Sequence, residues 1–374
     1  MIFDYNFKNY NFRIVIYMLL LSVFGVLIIG SASGQDKAMV GKQIVGIVIS
    51  LIICLVISLI DYHKIFKFNT LIYGGCIALL LAVRFMGKSA NGATRWLRIG
   101  GFQIQPSEFV KIGLIVILAC YLSKNQENIN KPSVLGTAAL LCIVPLGLVY
   151  LQPNLSTSIV IAFTLVCIVY AAGISYKWIA GVMAVGIPTV ALCLYLSLQG
   201  LVPFLRSYQV QRILGKFFHS DVKYSDINTQ QDNSIMAIGS GQLKGKGLFN
   251  SAQGSVKNGN FLSEEQTDFI FAVIGEELGF IGGVLIILLY ALLVFECVWI
   301  AAHAKDMAGR LIATGMAALL AFQSFTNIAV ATGIFPNTGL PLPFISSGIS
   351  SLLSIFIGMG LVLNVGLQRK SSNH

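Results

Sequence analysis

Charge is scarce in this chain. Only 11% of its 374 residues are charged, 25 basic and 15 acidic, where a soluble domain carries about 25%. That shortage excludes a water-soluble enzyme of this length. Disorder is excluded as well, because 56% of the residues are hydrophobic and the mean hydropathy is +0.81. Cysteines are present, but no two have C-x-x-C spacing. Cys54, Cys76, Cys120, Cys142, Cys167, Cys193 and Cys297 all fall inside apolar runs and read as small buried hydrophobes, suggesting neither a disulfide framework nor a metal site. Internal repeats and low-complexity tracts are lacking too. What remains is a polytopic membrane protein. Its net charge of +10 is read as an affinity for anionic membrane lipid, with no nucleic-acid partner.

Spanning helices need about 20 mostly apolar residues. Ten such stretches run near 13–33, 43–60, 69–86, 106–123, 133–151, 155–173, 177–198, 268–301, 310–332 and 343–366. The expected fold is all-α, a single domain over 1–374 with ten transmembrane helices and a long extracytoplasmic loop, about 199–267, between helices 7 and 8. Ser31-Ala32-Ser33 mimics a signal-peptide cleavage site, but the apolar stretch before it is too long and reads as an anchor. With the N-terminus inside, the inner segments hold Lys8, Arg13, Lys64, Lys67, Lys124, Lys131, Lys177, Lys305, Arg310, Arg369 and Lys370. The short outer loops hold only Lys37 and Lys42, so both termini are expected in the cytoplasm. The other outer cations gather in two places. Lys88, Arg95 and Arg98 lie near 87–105, and Arg206, Arg212, Lys216, Lys223, Lys244, Lys246 and Lys257 lie in the long loop. They are either solvated loop charge or an anion site facing the outer leaflet.

Charges inside apolar segments are costly and usually functional. Pro106 suits the first turn of the fourth helix, with Gln105 as its cap, which places Glu108 and Lys111 three apart on one face. That pair could be structural, or it could offer an ammonium to a phosphate. Thr267 reads as an N-cap and Asp268 as a first-turn acid of the eighth helix: a good helix start, or a general base at the membrane surface. Glu276, about 12 Å deeper at 1.5 Å per residue, reads as a buried structural partner, and Glu296 as reaching the inner interface. The glycine-rich run Gly239–Gly247 lacks the strand and helix that a P-loop requires. Proline and glycine cluster again at 333–348. Irregular backbone at membrane depth is tolerated only within protein or beside a water-filled cavity, so this segment is expected to line a cavity open to the outside.

Asn91-Gly92-Ala93-Thr94-Arg95-Trp96-Leu97, followed by Gln105-Pro106-Ser107-Glu108-Phe109-Val110-Lys111, resembles the SEDS family of cell-shape, division and sporulation proteins. So do Ala237-Ile238-Gly239-Ser240-Gly241, Thr267-Asp268-Phe269-Ile270-Phe271-Ala272-Val273 with Gly275-Glu276-Glu277-Leu278-Gly279, and Pro341-Leu342-Pro343-Phe344-Ile345-Ser346, all in family order. Tyr208-Gln209-Val210-Gln211-Arg212 looks closer to the rod-shape branch, RodA, than to the division branch, FtsW. Two departures stand out. The family often has an aspartate where Asn154 stands, so no catalytic carboxylate is expected there. Ser346-Ser347-Gly348-Ile349-Ser350 replaces a usual Ser-Tyr-Gly-Gly-Ser and hints at a divergent or sporulation-type member.

The resemblance implies a peptidoglycan glycosyltransferase of the bacterial cytoplasmic membrane. Such an enzyme polymerises lipid II on the outer face, beside a class B penicillin-binding protein that cross-links the glycan. Asp268 would be the essential carboxylate, drawing a proton from the attacking hydroxyl. Lys111, Arg95 and Arg212 are candidates to stabilise the pyrophosphate, and Glu108 would orient Lys111. Gln105, Ser107, Thr267 and Ser346, inside the matching blocks, are candidate substrate contacts. No nucleotide is needed, and no metal-ligand spacing is visible, although a divalent cation could assist. The rival readings are a lipid II flippase and a scaffold that activates the penicillin-binding protein.

Overall fold

The computed structural model describes residues 9–34, 36–90, 93–99, 102–152, 154–199, 212, 214, 225–249 and 265–369. Ten apolar helices occupy the expected stretches. They are α1 (Phe12–Ala32), α2 (Lys37–Ser58), α4 (Asn69–Met86), α5 (Pro106–Lys124), α6 (Pro132–Leu151), α7 (Leu155–Ala171), α8 (Tyr176–Leu198), α10 (Ile270–Ala302), α11 (Met307–Ala331) and α12 (Ile349–Leu367). Nine of them contain windows of at least 18 residues apolar enough to cross a membrane, and α7 has 17 residues. The short α3 (Tyr62–Phe66) follows α2, and α9 (Ser225–Ser240) lies within the stretch expected to be loop.

The helices α5, α11 and α12 form the centre, with about three quarters or more of their spanning windows buried, whereas α2, α4 and α6 expose most of theirs. An apolar face costs nothing against lipid tails, so peripheral helices need no polar outer stripe. The α2 helix packs chiefly on α12, and α11 on α10, α7 and α5. Cys54, Cys76, Cys120 and Cys297 are buried as expected, while Cys142, Cys167 and Cys193 are half-exposed on outlying helices.

Several details differ from the sequence reading. Residues 87–105 are not simply loop. They form a three-stranded antiparallel sheet of β1 (Lys88–Ala90), β2 (Ala93–Ile99) and β3 (Phe102–Ile104). Ala90 pairs with Ala93 and Ile99 with Phe102, leaving two residues between each pair of strands. Helix α2 begins at Lys37 rather than at residue 43, with the Asp36 carboxylate accepting from Ala38 N, so Lys37 and Lys42 lie in its first turns. Gln105 occupies the N-cap position of α5, but its side chain makes no capping bond.

Helix α10 begins at Ile270, with Phe269 as N-cap, so Thr267 does not cap it and Asp268 is not in its first turn. Tertiary bonds explain the shift. Ser346 Oγ donates to Thr267 O (2.6 Å), Asn327 Nδ2 to Asp268 O (2.9 Å) and Ser347 N to Gln266 O (2.9 Å), holding residues 265–269 as turns. The last helix likewise starts at Ile349 rather than 343. Pro341 and Pro343 cannot donate to a helix ladder, and Phe344 (φ 65°) and Gly348 (φ 152°) are non-helical.

The glycine-rich run is a splint for a broken helix. Helix α10 is kinked at Gly279, whose φ of 67° and ψ of −164° interrupt its ladder. Lys246 N and Gly247 N donate to the carbonyls of Glu276 and Glu277 (both 2.9 Å), while Phe280 N and Ile281 N donate to Gln242 O (2.8 Å) and Leu243 O (3.2 Å). Four backbone groups at the break thus find partners in the run, as membrane depth demands. Lys246 Nζ also pairs with buried Glu276 at 2.7 Å, and Glu277 accepts from Ser31 Oγ. Glu276 is therefore the structural partner its depth suggested. Glu296 is 7% exposed and meets Asn11 at 2.7 Å and the largely exposed Arg13 at 3.4 Å, at the end of the bundle where its position put it.

Candidate active site

Pro106 starts α5 and puts Glu108 and Lys111 one turn apart on its inner side. Both are 2% exposed, and Lys111 Nζ lies 2.9 Å from Glu108 Oε1. Lys111 also donates to Gln323 Oε1 of α11 at 2.8 Å, and Gln323 Nε2 donates in turn to Pro341 O at 2.9 Å. One turn along the same helix, Asn327 Nδ2 donates to Leu340 O (2.7 Å) and to Asp268 O. The two amides therefore fasten the irregular 337–342 segment to the buried ion pair on one side and to the start of α10 on the other.

Asp268 and Arg212 meet the same segment. Arg212 Nη1 donates to Asn337 O at 3.2 Å. Gly339 has φ +69°, and a Cβ added there would lie 3.0 Å from Asp268 Oδ2, so the carboxylate rests directly against this glycine. Ser156 Oγ donates to Thr338 O. Four side-chain atoms of this network are buried without a partner among the described residues: Asn337 Oδ1, Thr338 Oγ1, Asn327 Oδ1 and Glu108 Oε2. Buried polar atoms seldom stay unpaired, so these can accept hydrogen bonds from water or a polar ligand.

Other predicted residues fall into two groups. Ser346 Oγ donates to Thr267 O and accepts from Leu342 N (2.8 Å), so this pair clamps the 341–346 segment to the start of α10. Gln105 and Ser107 sit where the sheet meets α5. There Gln105 Nε2 donates to Ser107 Oγ (3.3 Å) and Gln105 N to Ser350 Oγ (3.1 Å). Arg95 lies on β2 beside this junction, half-buried. Asn154 has a helix-capping role, its Oδ1 accepting from Thr157 N at 3.3 Å. Of the block around Arg212, residues 208–211 lie outside the described residues, as do Arg206, Lys216, Lys223 and Lys257. The 340–346 part of the irregular segment is almost wholly buried in protein; Tyr290 Oη donates to Pro343 O, and Gln43 Nε2 to Ser346 O at 3.4 Å. Among the described residues no group of three or more His, Cys, Asp or Glu side chains is placed to hold a metal ion.

Gln323 and Asn327 were not singled out from the sequence. Their signal was available: two amides four apart inside a helix that, beyond Arg310 in its first turn, is otherwise apolar or small.

The family model for FtsW, RodA and SpoVE, described as "Cell cycle protein", matches residues 12–371. The chain belongs to this family. This SEDS protein is 36% identical over 356 residues to the peptidoglycan glycosyltransferase MrdB of Escherichia coli, covering 94% of this chain and 92% of MrdB. A chain in the solved structure reported as "Structural coordination of polymerization and crosslinking by a peptidoglycan synthase complex" superposes with a TM-score of 0.78. It is 28% identical, and the match covers 96% of this chain and 97% of that one. The rod shape determining protein RodA of Thermus thermophilus gives a TM-score of 0.71 at 27% identity, covering 98% of each chain.

Proposed function

We propose that this SEDS protein is a peptidoglycan glycosyltransferase that polymerises lipid II at the outer face of the bacterial cytoplasmic membrane. The acceptor's GlcNAc 4-hydroxyl attacks the anomeric carbon of the donor MurNAc; undecaprenyl pyrophosphate leaves, and the hydroxyl proton passes to Asp268. One observation carries this reading. The Asp268 carboxylate, the Arg212 guanidinium and, through Gln323, the Lys111 ammonium all converge on the 337–341 segment, where Asn337 and Thr338 hold unpaired polar atoms. Asp268 supplies a base, an effect of about 10²–10⁴-fold in such sites. Arg212 and Lys111 supply positive charge towards the pyrophosphate.

Ten apolar helices support a reading with both termini on one side, and the lysine and arginine distribution favours the cytoplasm as that side. A class B penicillin-binding protein is the partner that would cross-link the product. The deciding experiment is purified protein with lipid II and neither nucleotide nor second enzyme. Glycan strands from the wild type support the polymerase. Transport of lipid II without strands would indicate a flippase, and inertness until the penicillin-binding protein is added would indicate a scaffold. Asp268→Asn keeps size while removing basicity. It should fold, hold its partner and make no glycan; retained synthesis would reduce Asp268 to a structural residue.

A further inference from the structure

At the end of the bundle that carries both termini, a cavity of about 410 Å³ opens between α3, the end of α5 and the start of α11. That volume is within the roughly 300–1,000 Å³ of ordinary small-ligand sites. Its walls include the apolar Phe66 and Met307 and the charged His63, Lys67, Lys124 and Asp306. All of these sit at helix ends, the layer where lipid headgroups meet a membrane protein.

Two lysines face one carboxylate among the lining residues. Asp306 is the sole carboxylate among the lining residues, and it is already committed. It accepts from Tyr62 Oη with both oxygens (3.0 Å each), from Gly309 N (2.8 Å) and faces His63 Nε2 (2.8 Å). His63 Nδ1 meets Asp61 Oδ1, also at 2.8 Å. The one ring therefore bridges Asp61 and Asp306. Burial pushes the Asp61 carboxyl up, but hydrogen bonds from Gln368 and His63 outweigh this and hold it below its ordinary value. Both acids are thus engaged by the same ring. Lys67 and Lys124 remain, with no carboxylate within ion-pair distance among the described residues. Met307 and Ala308 add the amino end of the 25-residue α11, which favours negative charge.

We propose that this cavity binds the phosphate of an anionic phospholipid headgroup, held by Lys67 and Lys124 with the acyl chains along the exposed apolar helices beside it. The site lies at the opposite end of the molecule from Asp268 and does not depend on the glycosyltransferase reading.

The test uses the full-length protein in nanodiscs of phosphatidylcholine with or without phosphatidylglycerol. Native mass spectrometry after transfer to mild detergent counts the phosphatidylglycerol retained. Lys67→Ala with Lys124→Ala should weaken retention about thirtyfold, roughly fivefold per lysine, and Lys67→Arg with Lys124→Arg should preserve it. Lys37→Ala with Lys42→Ala, a charge-matched change at the other end, should leave it intact. Equal retention by the two alanine pairs overturns the proposal. A second arm adds inorganic phosphate to phosphatidylcholine nanodiscs. Thermal protection matching that from phosphatidylglycerol would make the occupant a soluble phosphate and overturn the lipid assignment; no protection supports it.

Discussion

At the scale of single residues, the buried Glu108–Lys111 pair and Gln323 bear the most testable roles. A buried ion pair adds little net stability, but removing one partner strands the other charge. Glu108→Ala should therefore destabilise the protein by about 3–5 kcal/mol, whereas Glu108→Leu combined with Lys111→Met should be close to neutral. Thermal unfolding of the purified protein measures both. If Lys111 serves the substrate, the double variant should be stable and yet bind lipid II poorly; wild-type polymerisation in it would make the pair dispensable. Gln323 separates position from stability. Gln323→Leu leaves Lys111 and Pro341 O each short of a partner, a loss of about 1–3 kcal/mol. Gln323→Glu still accepts from Lys111 but gives nothing to Pro341 O. We expect that variant to stay folded while its kcat falls with little change in KM, because only the placement of the 337–341 segment is disturbed.

Secondary-structure elements explain the glycines. A Cβ on Gly241 would come within 1.9 Å of Gly275 O, a backbone atom that cannot swing aside, whereas Gly239, in α9, has nothing within 4 Å. Gly241→Ala should cost at least about 1–3 kcal/mol by forcing α9 and α10 apart. Gly239→Ala should be neutral or gain about 0.5–1 kcal/mol, since alanine suits a helix better. Equal melting temperatures for the two variants would show that the splint does not hold the kink. The three-stranded sheet was also legible in outline. Asn91-Gly92 and Gly100-Gly101 stand between its paired strands, and such dipeptides favour two-residue hairpin turns. The cations Lys88, Arg95 and Arg98 around them suit a charged loop equally well, which hides the sheet.

For the whole molecule, the arrangement of ten spans makes a direct prediction about sidedness. Lys37 and Glu127 are exposed at opposite ends of the bundle. In a chain with its native cysteines replaced, Lys37→Cys should react with a membrane-impermeant maleimide in intact cells. Glu127→Cys should react only after lysis, and the reverse pattern would invert the topology and place Asp268 on the cytoplasmic side.

Hydropathy is a local property, and it alone settled the membrane class, the ten helices and their approximate ends. The i, i+3 spacing of Glu108 and Lys111 likewise settled their pairing, because one helical turn brings them together whatever surrounds it. Where α10 begins could not be read locally. Thr267 and Asp268 form a good capping sequence, yet bonds from Ser346, Asn327 and Ser347 take up the backbone around them and delay the helix to Ile270. Nor could the sequence tell that the run at 239–247 splints a kink, or that Gln323 joins Lys111 to the segment touching Asp268. Those facts depend on irregular backbone whose unpaired groups must find partners within the protein, and which partners they find is decided only when distant segments pack.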